Sequence, residues 1–205
     1  MQAVDWQIIV KRHGPIVWQT AYRLLGNYAD AADCFQETFV CALEVSRRQH
    51  VRNFPALLSR LATTRAIDQL RQRLRRSHAD TKPADRSAPS TSLRAGVPSH
   101  NPDPAQQLET EELAARLRKA IAQLPQQHAE VFCLRYLNGM SYRLIAKQLG
   151  IKTGAAGVSL HRARARLRML LESAFVAEAD FGGVSKAPGQ EESEDSYDTG
   201  KEPAD

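Results

Sequence analysis

Aromatic residues are scarce in this chain, at 6% of 205, and only three residues are cysteine. Cys34, Cys41 and Cys133 cannot build a disulfide framework, and none lies in a CxxC, so a redox dithiol or a cysteine-held metal is not expected. The six histidines fall into no ligand spacing, so no metal is expected. No Walker loop, Ser/His/Asp arrangement or paired-carboxylate pocket can be traced, so neither an enzyme nor a cofactor or small-molecule substrate is expected. No apolar run approaches the ~18–20 residues that cross a bilayer. The opening MQAVDWQIIVKRHG lacks the basic, apolar, small-residue order of a secretory signal. Val, Ile and Thr rarely alternate with polar residues, which removes the strand signal. What is left is a soluble, all-α protein of a reducing, cytoplasmic compartment.

Charge is abundant but unevenly placed. The net charge of +5 combines an acidic end with a basic body: residues 172–205 hold ten acidic side chains against Lys186 and Lys201, and residues 1–171 hold 26 basic against 13 acidic. A body of that sign suits a polyanion, most often nucleic acid. Composition divides the chain into four pieces. Residues 1–76 carry helical periodicity, with helices expected over about 5–25, from Asp30 as cap to about Ser46, and from about Asn53 to Arg76. Residues 77–104 hold five prolines and five serines with scarcely an apolar side chain, which predicts a disordered linker. Residues 105–176 are helical again, and 177–205 read as an acidic disordered tail. The expectation is two small helical domains joined by a flexible linker, the second ending in a helix-turn-helix.

That last motif occupies residues 141–171. Ser141 is placed to cap a short helix with Ile145, Ala146 and Leu149 inward, Gly150 stands at the turn, and a second helix begins near Thr153. Ala156, Leu160, Ala163, Leu167, Leu170 and Leu171 share one stripe of it, leaving Gly154, Ala155, Val158, His161 and Arg162 opposite, with Arg164, Arg166 and Arg168 on the flanks. A second helix so presented fits the major groove, its N-terminal residues against base edges. From Arg135 to Arg168 there are eight Lys or Arg and no Asp or Glu, the uniform sign that phosphate neutralisation needs. An ordinary solvated helix face mixes both signs.

The first block is charged differently. Asp30, Asp33, Gln36, Glu37 and Glu44 share the polar side of the second helix, an acidic face able to dock a cationic partner. On the third helix Arg60, Thr64, Asp68, Arg71 and Arg75 form one stripe, with Arg65, Arg73 and Arg76 to its sides. Its apolar residues form two clusters on different faces: Leu57, Leu58 and Leu61, then Ile67, Leu70 and Leu74. The first half is therefore expected to be buried and the second half more exposed.

Asp-Ala-Ala-Asp-x-x-Gln-Glu-Thr-Phe at 30–39 and Arg-Ala-Ile-Asp-x-Leu-Arg at 65–71 resemble the first domain of extracytoplasmic-function sigma factors. Leu124-Pro125, Val131-Phe132-x-Leu-Arg-Tyr at 131–136, Ser141-Tyr142, Ile145-Ala146 and Leu160-His161-Arg162-Ala163-Arg164 resemble the second, in the same order and spacing, so that the resemblance covers about 5–172. It implies an alternative sigma factor that binds core RNA polymerase and promoter DNA, duplex and melted strand, and that is held by an anti-sigma factor.

By position, the resemblance makes Asp33, Gln36, Glu37 and Phe39 the polymerase-docking face. It makes Arg47, Arg48, Arg52, Asn53, Arg60, Thr64, Arg65, Asp68, Arg71 and Arg75 the −10 side. Ser141, Tyr142, Arg143, Thr153, Ala155, Val158, Ser159, His161, Arg162 and Arg164 become the −35 side. Leu57 and Thr64 stand where the family usually has Trp and Asn, and Gly154-Ala155-Ala156-Gly157-Val158-Ser159 replaces the familiar Gly-Thr-Val-Lys-Ser-Arg. The recognition helix thus offers methyl contacts at Ala155 or Val158 and phosphate contacts at His161 or Arg162. Two rival readings remain: a polymerase-independent helix-turn-helix regulator, and an interaction protein whose acidic helix and tail do the binding.

Overall fold

The computed structural model describes residues 5–79 and 104–181, within which there are seven helices and no strand. Most of the expected linker and the tail beyond 181 lie outside the described residues. Helix α1 (Trp6–Leu25) starts where the Asp5 carboxylate accepts the Gln7 and Ile8 N–H groups, and ends at Gly26, whose φ of +74° suits only a residue without a Cβ. Helix α2 (Tyr28–Arg48) is capped by Asn27 rather than by Asp30. The Asn27 amide oxygen accepts the Asp30 N–H at 2.9 Å, which puts Asp30 in the first turn, where its charge suits the helix dipole. Helix α3 (Phe54–Ala79) follows after Asn53 Oδ1 accepts the Ala56 N–H. These three pack around Val17, Ala42, Leu58 and Ala62, with Phe35, Phe39 and Phe54 at the margin.

Helix α4 (Pro104–Ala122), α5 (Gln126–Tyr136), α6 (Tyr142–Leu149) and α7 (Thr153–Phe181) form the second group. Val131 and Leu134 of α5, Ile145 and Ala146 of α6, and Ala156 and Leu160 of α7 close its core. Helix α7 runs to Phe181, so the first five residues expected in a disordered tail are helical.

The two groups are not separate bodies. One buried cluster joins Ala21 and Leu24 of α1, Cys34 of α2 and Ile67 and Leu70 of α3 to Ile121, Leu124, Cys133, Ala163 and Leu167 of the second group. The second half of α3, expected to be the more exposed, is therefore covered: Ile67 is fully buried and Leu70 is 8% exposed. Burial of each such side chain contributes ~1.5–3 kcal/mol, so the contact between the groups is a packed interface rather than a touch.

Candidate nucleic-acid interface

The helix-turn-helix is built by local rules. Ser141 Oγ accepts the Leu144 N–H at 3.3 Å and starts α6. Gly150, at φ +66°, donates its N–H to the Ala146 carbonyl and turns the chain, and Ile151 donates to the same carbonyl. Ala156, Leu160, Ala163 and Leu167 then fix the underside of α7. Thr153, Gly154, Ala155, His161, Arg162, Arg164, Arg166 and Arg168 are left exposed, and Val158 is 51% exposed, so an apolar contact lies between cations on one open face. Ser159 is the exception. It is 5% exposed and accepts a hydrogen bond from Gln127 Nε2 at 3.0 Å, so its hydroxyl holds α7 on α5 and is removed from the reading face. Ser141, Tyr142 and Arg143 are exposed at the start of α6. The Arg135 guanidinium lies over the Tyr142 ring, 5.2 Å from its centroid, and donates to the Met140 carbonyl, so Arg135 supports the turn.

On α2, Asp33, Gln36 and Glu37 are exposed side by side. Phe39 is half-buried against Phe35, ring centroids 4.9 Å apart, and so supports that face from beneath. Arg65 is exposed and donates to Cys41 Sγ at 2.8 Å. That contact, reinforced by the charges of Glu37 and Asp68, raises its pKa.

The −10 residues are divided. Arg47 and Arg48 close α2 and are exposed, as are Arg52, Asn53, Asp68 and Arg75. The loop from Gln49 to Asn53, with Leu57 and Arg60, lines an open cavity of about 340 Å³ whose opposite wall is Leu144, Lys147 and Gln148 of α6. Thr64 Oγ1 donates to Glu130 Oε1 at 2.9 Å. Arg71 donates to the Ala122 carbonyl at 3.3 Å, to the Leu124 carbonyl at 2.6 Å and to Gln126 Oε1. The C-terminal end of α4 exposes unsatisfied carbonyls at the negative end of its dipole, and Arg71 is their cap. Arg73, read from the sequence as extra surface charge, instead pairs with Asp30 and donates to the Leu25 carbonyl. Burial, with Arg118 nearby, lowers its pKa. The sequence had not singled out Gln126, Glu130 or Asn138. They carry no charge run or periodicity that marks an interface, and only folding brings them against α1 and α3.

Residues 9–76 match the family model for sigma-70 region 2, and residues 114–167 that for sigma-70, region 4. The chain is 32% identical over 162 residues to the RNA polymerase sigma factor CarQ of Myxococcus xanthus, covering 78% of this chain and 85% of that one. It belongs to the extracytoplasmic-function sigma factors. Its identity to the ECF sigma factor SigE of Mycolicibacterium smegmatis is 33% over 165 residues, covering 80% of this chain, and this sigma factor spans 60% of the length of that relative. The solved structure of CnrH in complex with the cytosolic domain of CnrY is 26% identical, covers 82% of this chain and 88% of its own, and superposes with a TM-score of 0.51. The sigma factor thus carries both regions in family order, nearly all of α1–α3 within the first match and most of α4–α7 within the second. Among its described residues no helix is long and apolar enough to cross a membrane.

Proposed function

We propose that this chain is an alternative sigma factor that attaches to core RNA polymerase through Asp33, Gln36 and Glu37, with Phe39 as their support. It directs the polymerase to promoters through DNA contacts at two places, in the cytoplasm and without catalysis of its own. The observation that carries the proposal is the pairing, in one chain, of an exposed acidic helix face with an exposed helix-turn-helix face that has no acid from Arg135 to Arg168. Arg47, Arg48, Arg52, Asn53, Arg60, Thr64, Arg65, Asp68, Arg71 and Arg75 grip the melted −10 strand. Ser141, Tyr142, Arg143, Thr153, His161, Arg162 and Arg164 hold duplex phosphates at −35, and Ala155 and Val158 meet thymine methyl groups. Residues 1–76 and 105–176 are the working units, and the segment between them sets their reach. CnrH forms a complex with the cytosolic domain of CnrY, which supports a protein partner of anti-sigma type here as well.

Run-off transcription with purified core polymerase tests the assignment. A transcript from a defined start site appears only when the chain is added, and Glu37→Arg abolishes it while leaving duplex binding intact. A chain that binds operator-like duplex tightly but supports no initiation would instead be the polymerase-independent regulator.

A further inference from the structure

We propose that the acidic segment Glu191–Asp198 docks on the open basic face of α7 and competes there with duplex DNA, so that this sigma factor carries its own phosphate mimic. The inference rests on the −35 reading above and adds an internal competitor to it.

The face has a definite layout. At ~100° per residue, Val158, Ala165 and Met169 fall on one line of α7, within about 40° of one another. Val158 is 51% exposed and Met169 59% exposed, and Ala165 is exposed with them. Arg162 and Arg166 lie to one side of that line and His161, Arg164 and Arg168 to the other, all of them exposed. The result is a narrow apolar track between two rails of cations. Arg166 and Arg168 carry the rails past the residues assigned to duplex contact, towards the C-terminal end of the helix. Among the described residues none of the four arginines is paired with a carboxylate. The helix-turn-helix has no acid from Arg135 to Arg168 to supply one, so the counter-charge must come from elsewhere.

The same chain holds it. Five of the eight residues from Glu191 to Asp198 are acidic. In an extended segment successive side chains point to opposite edges. Glu191 and Asp195 then lie on one edge and Glu192, Glu194 and Asp198 on the other. Laid along the track, such a segment presents carboxylates to both rails at once, in charge-assisted pairs with the guanidiniums. An acidic helix face would meet one rail only. The reach is also sufficient. Helix α7 ends at Phe181, and Gly182 and Gly183 follow, the residue type with which a helix ends in a reversal of the chain. Arg168 and Arg162 lie ~20 and ~28 Å back from Phe181 along the helix. The ten residues onward to Glu191 span up to ~33 Å. A tether of this length holds the segment near the face at ~1 mM effective concentration. A contact with a Kd of ~0.1 mM is then made about nine-tenths of the time and lowers apparent duplex affinity about tenfold.

The test uses the full chain with dyes at Lys152→Cys and Thr199→Cys in a Cys41→Ser background. Its comparison is a neutral variant combining Glu191→Gln, Glu192→Gln, Glu194→Gln, Asp195→Asn and Asp198→Asn, which alters no residue of the described helices. Residue 152 lies ~40 Å from the end of α7, so an undocked segment keeps the dyes far apart. Expected results are a short separation in the parent at low salt, and a long one in the neutral variant, in Arg166→Glu/Arg168→Glu and in the parent at high salt. Duplex DNA of mixed sequence is expected to bind the neutral variant, and a chain shortened to Phe181, about tenfold more tightly at low salt, with the gain shrinking as salt rises. A parent separation equal to that of the neutral variant overturns the docking. A separation that shortens only as protein concentration rises also overturns it, and assigns the face to the segment of a second copy. Docking without a gain in duplex affinity on neutralisation overturns the competition. Run-off transcription judges the sigma-factor assignment separately: a neutral variant that still initiates leaves that assignment standing whichever way the dyes report.

Discussion

The thiols show how one residue type takes different roles from its surroundings. Burial pushes Cys34 up to about 11 and Cys133 up to about 12, against an ordinary value of 9.0, while Cys41 sits half-buried beside Arg65. In the folded chain the two buried groups hold their protons longer than in the unfolded chain, so the unfolded state binds fewer protons above pH 9. Their contribution is complete below about pH 9 and is lost as pH rises towards about 11 to 12. Urea midpoints are expected to fall between pH 7.5 and pH 10, and less steeply in Cys34→Ala/Cys133→Ala. Iodoacetamide at neutral pH should modify Cys41 before either of the others. Those buried positions were legible because small apolar residues at helical spacing mark a core. Ser159 was not, since Gln127, which draws its hydroxyl inward, lies on another helix, 32 residues away.

At the scale of elements the glycines of the helix-turn-helix separate conformation from packing. Gly150 has a φ of +66° and Gly157 lies within α7, and neither would meet anything within 4 Å if it carried a Cβ. Space is therefore not the issue at either. Gly150→Ala forces a side chain into the left-handed region and is expected to lower stability by ~1 kcal/mol. Gly157→Ala is expected to raise it by up to ~1 kcal/mol through helix propensity. Thermal denaturation of the two variants gives the opposite signs directly. Gly26 differs from both. Its φ is +74°, and an added Cβ would lie 2.7 Å from the Arg118 guanidinium, so Gly26→Ala both strains the turn and pushes on the second group. The cap at Ser141 and the turn at Gly150 could be read in advance because they act within a few residues. The start of α2 was misplaced by three residues because Asn27 and Asp30 are both good caps, and Arg73, distant in sequence, takes Asp30.

The whole molecule is where the sequence was least explicit, and charge and packing part company there. Helical spacing showed that Ile67, Leu70 and Leu74 form an apolar face but carried no information on what covers it, because the covering residues lie beyond the segment 80–103. The sign of the surface, by contrast, is additive along the chain and could be read without any fold. It leads to a prediction for the chain shortened to Phe181. The exposed cations of α7 neutralise duplex phosphates and release condensed counterions, so the logarithm of the binding constant falls linearly with the logarithm of salt, by ~0.9 per phosphate neutralised. Arg162→Ala/Arg164→Ala should flatten that slope by about 2 in anisotropy titrations with duplex DNA across a salt series. Both side chains are exposed, Arg162 on the side opposite buried Ala156, Leu160 and Ala163 and Arg164 on the flank, so stability should not change. A parent slope near zero would assign binding to a neutral surface, and the open basic face of α7 would then have no role in holding DNA.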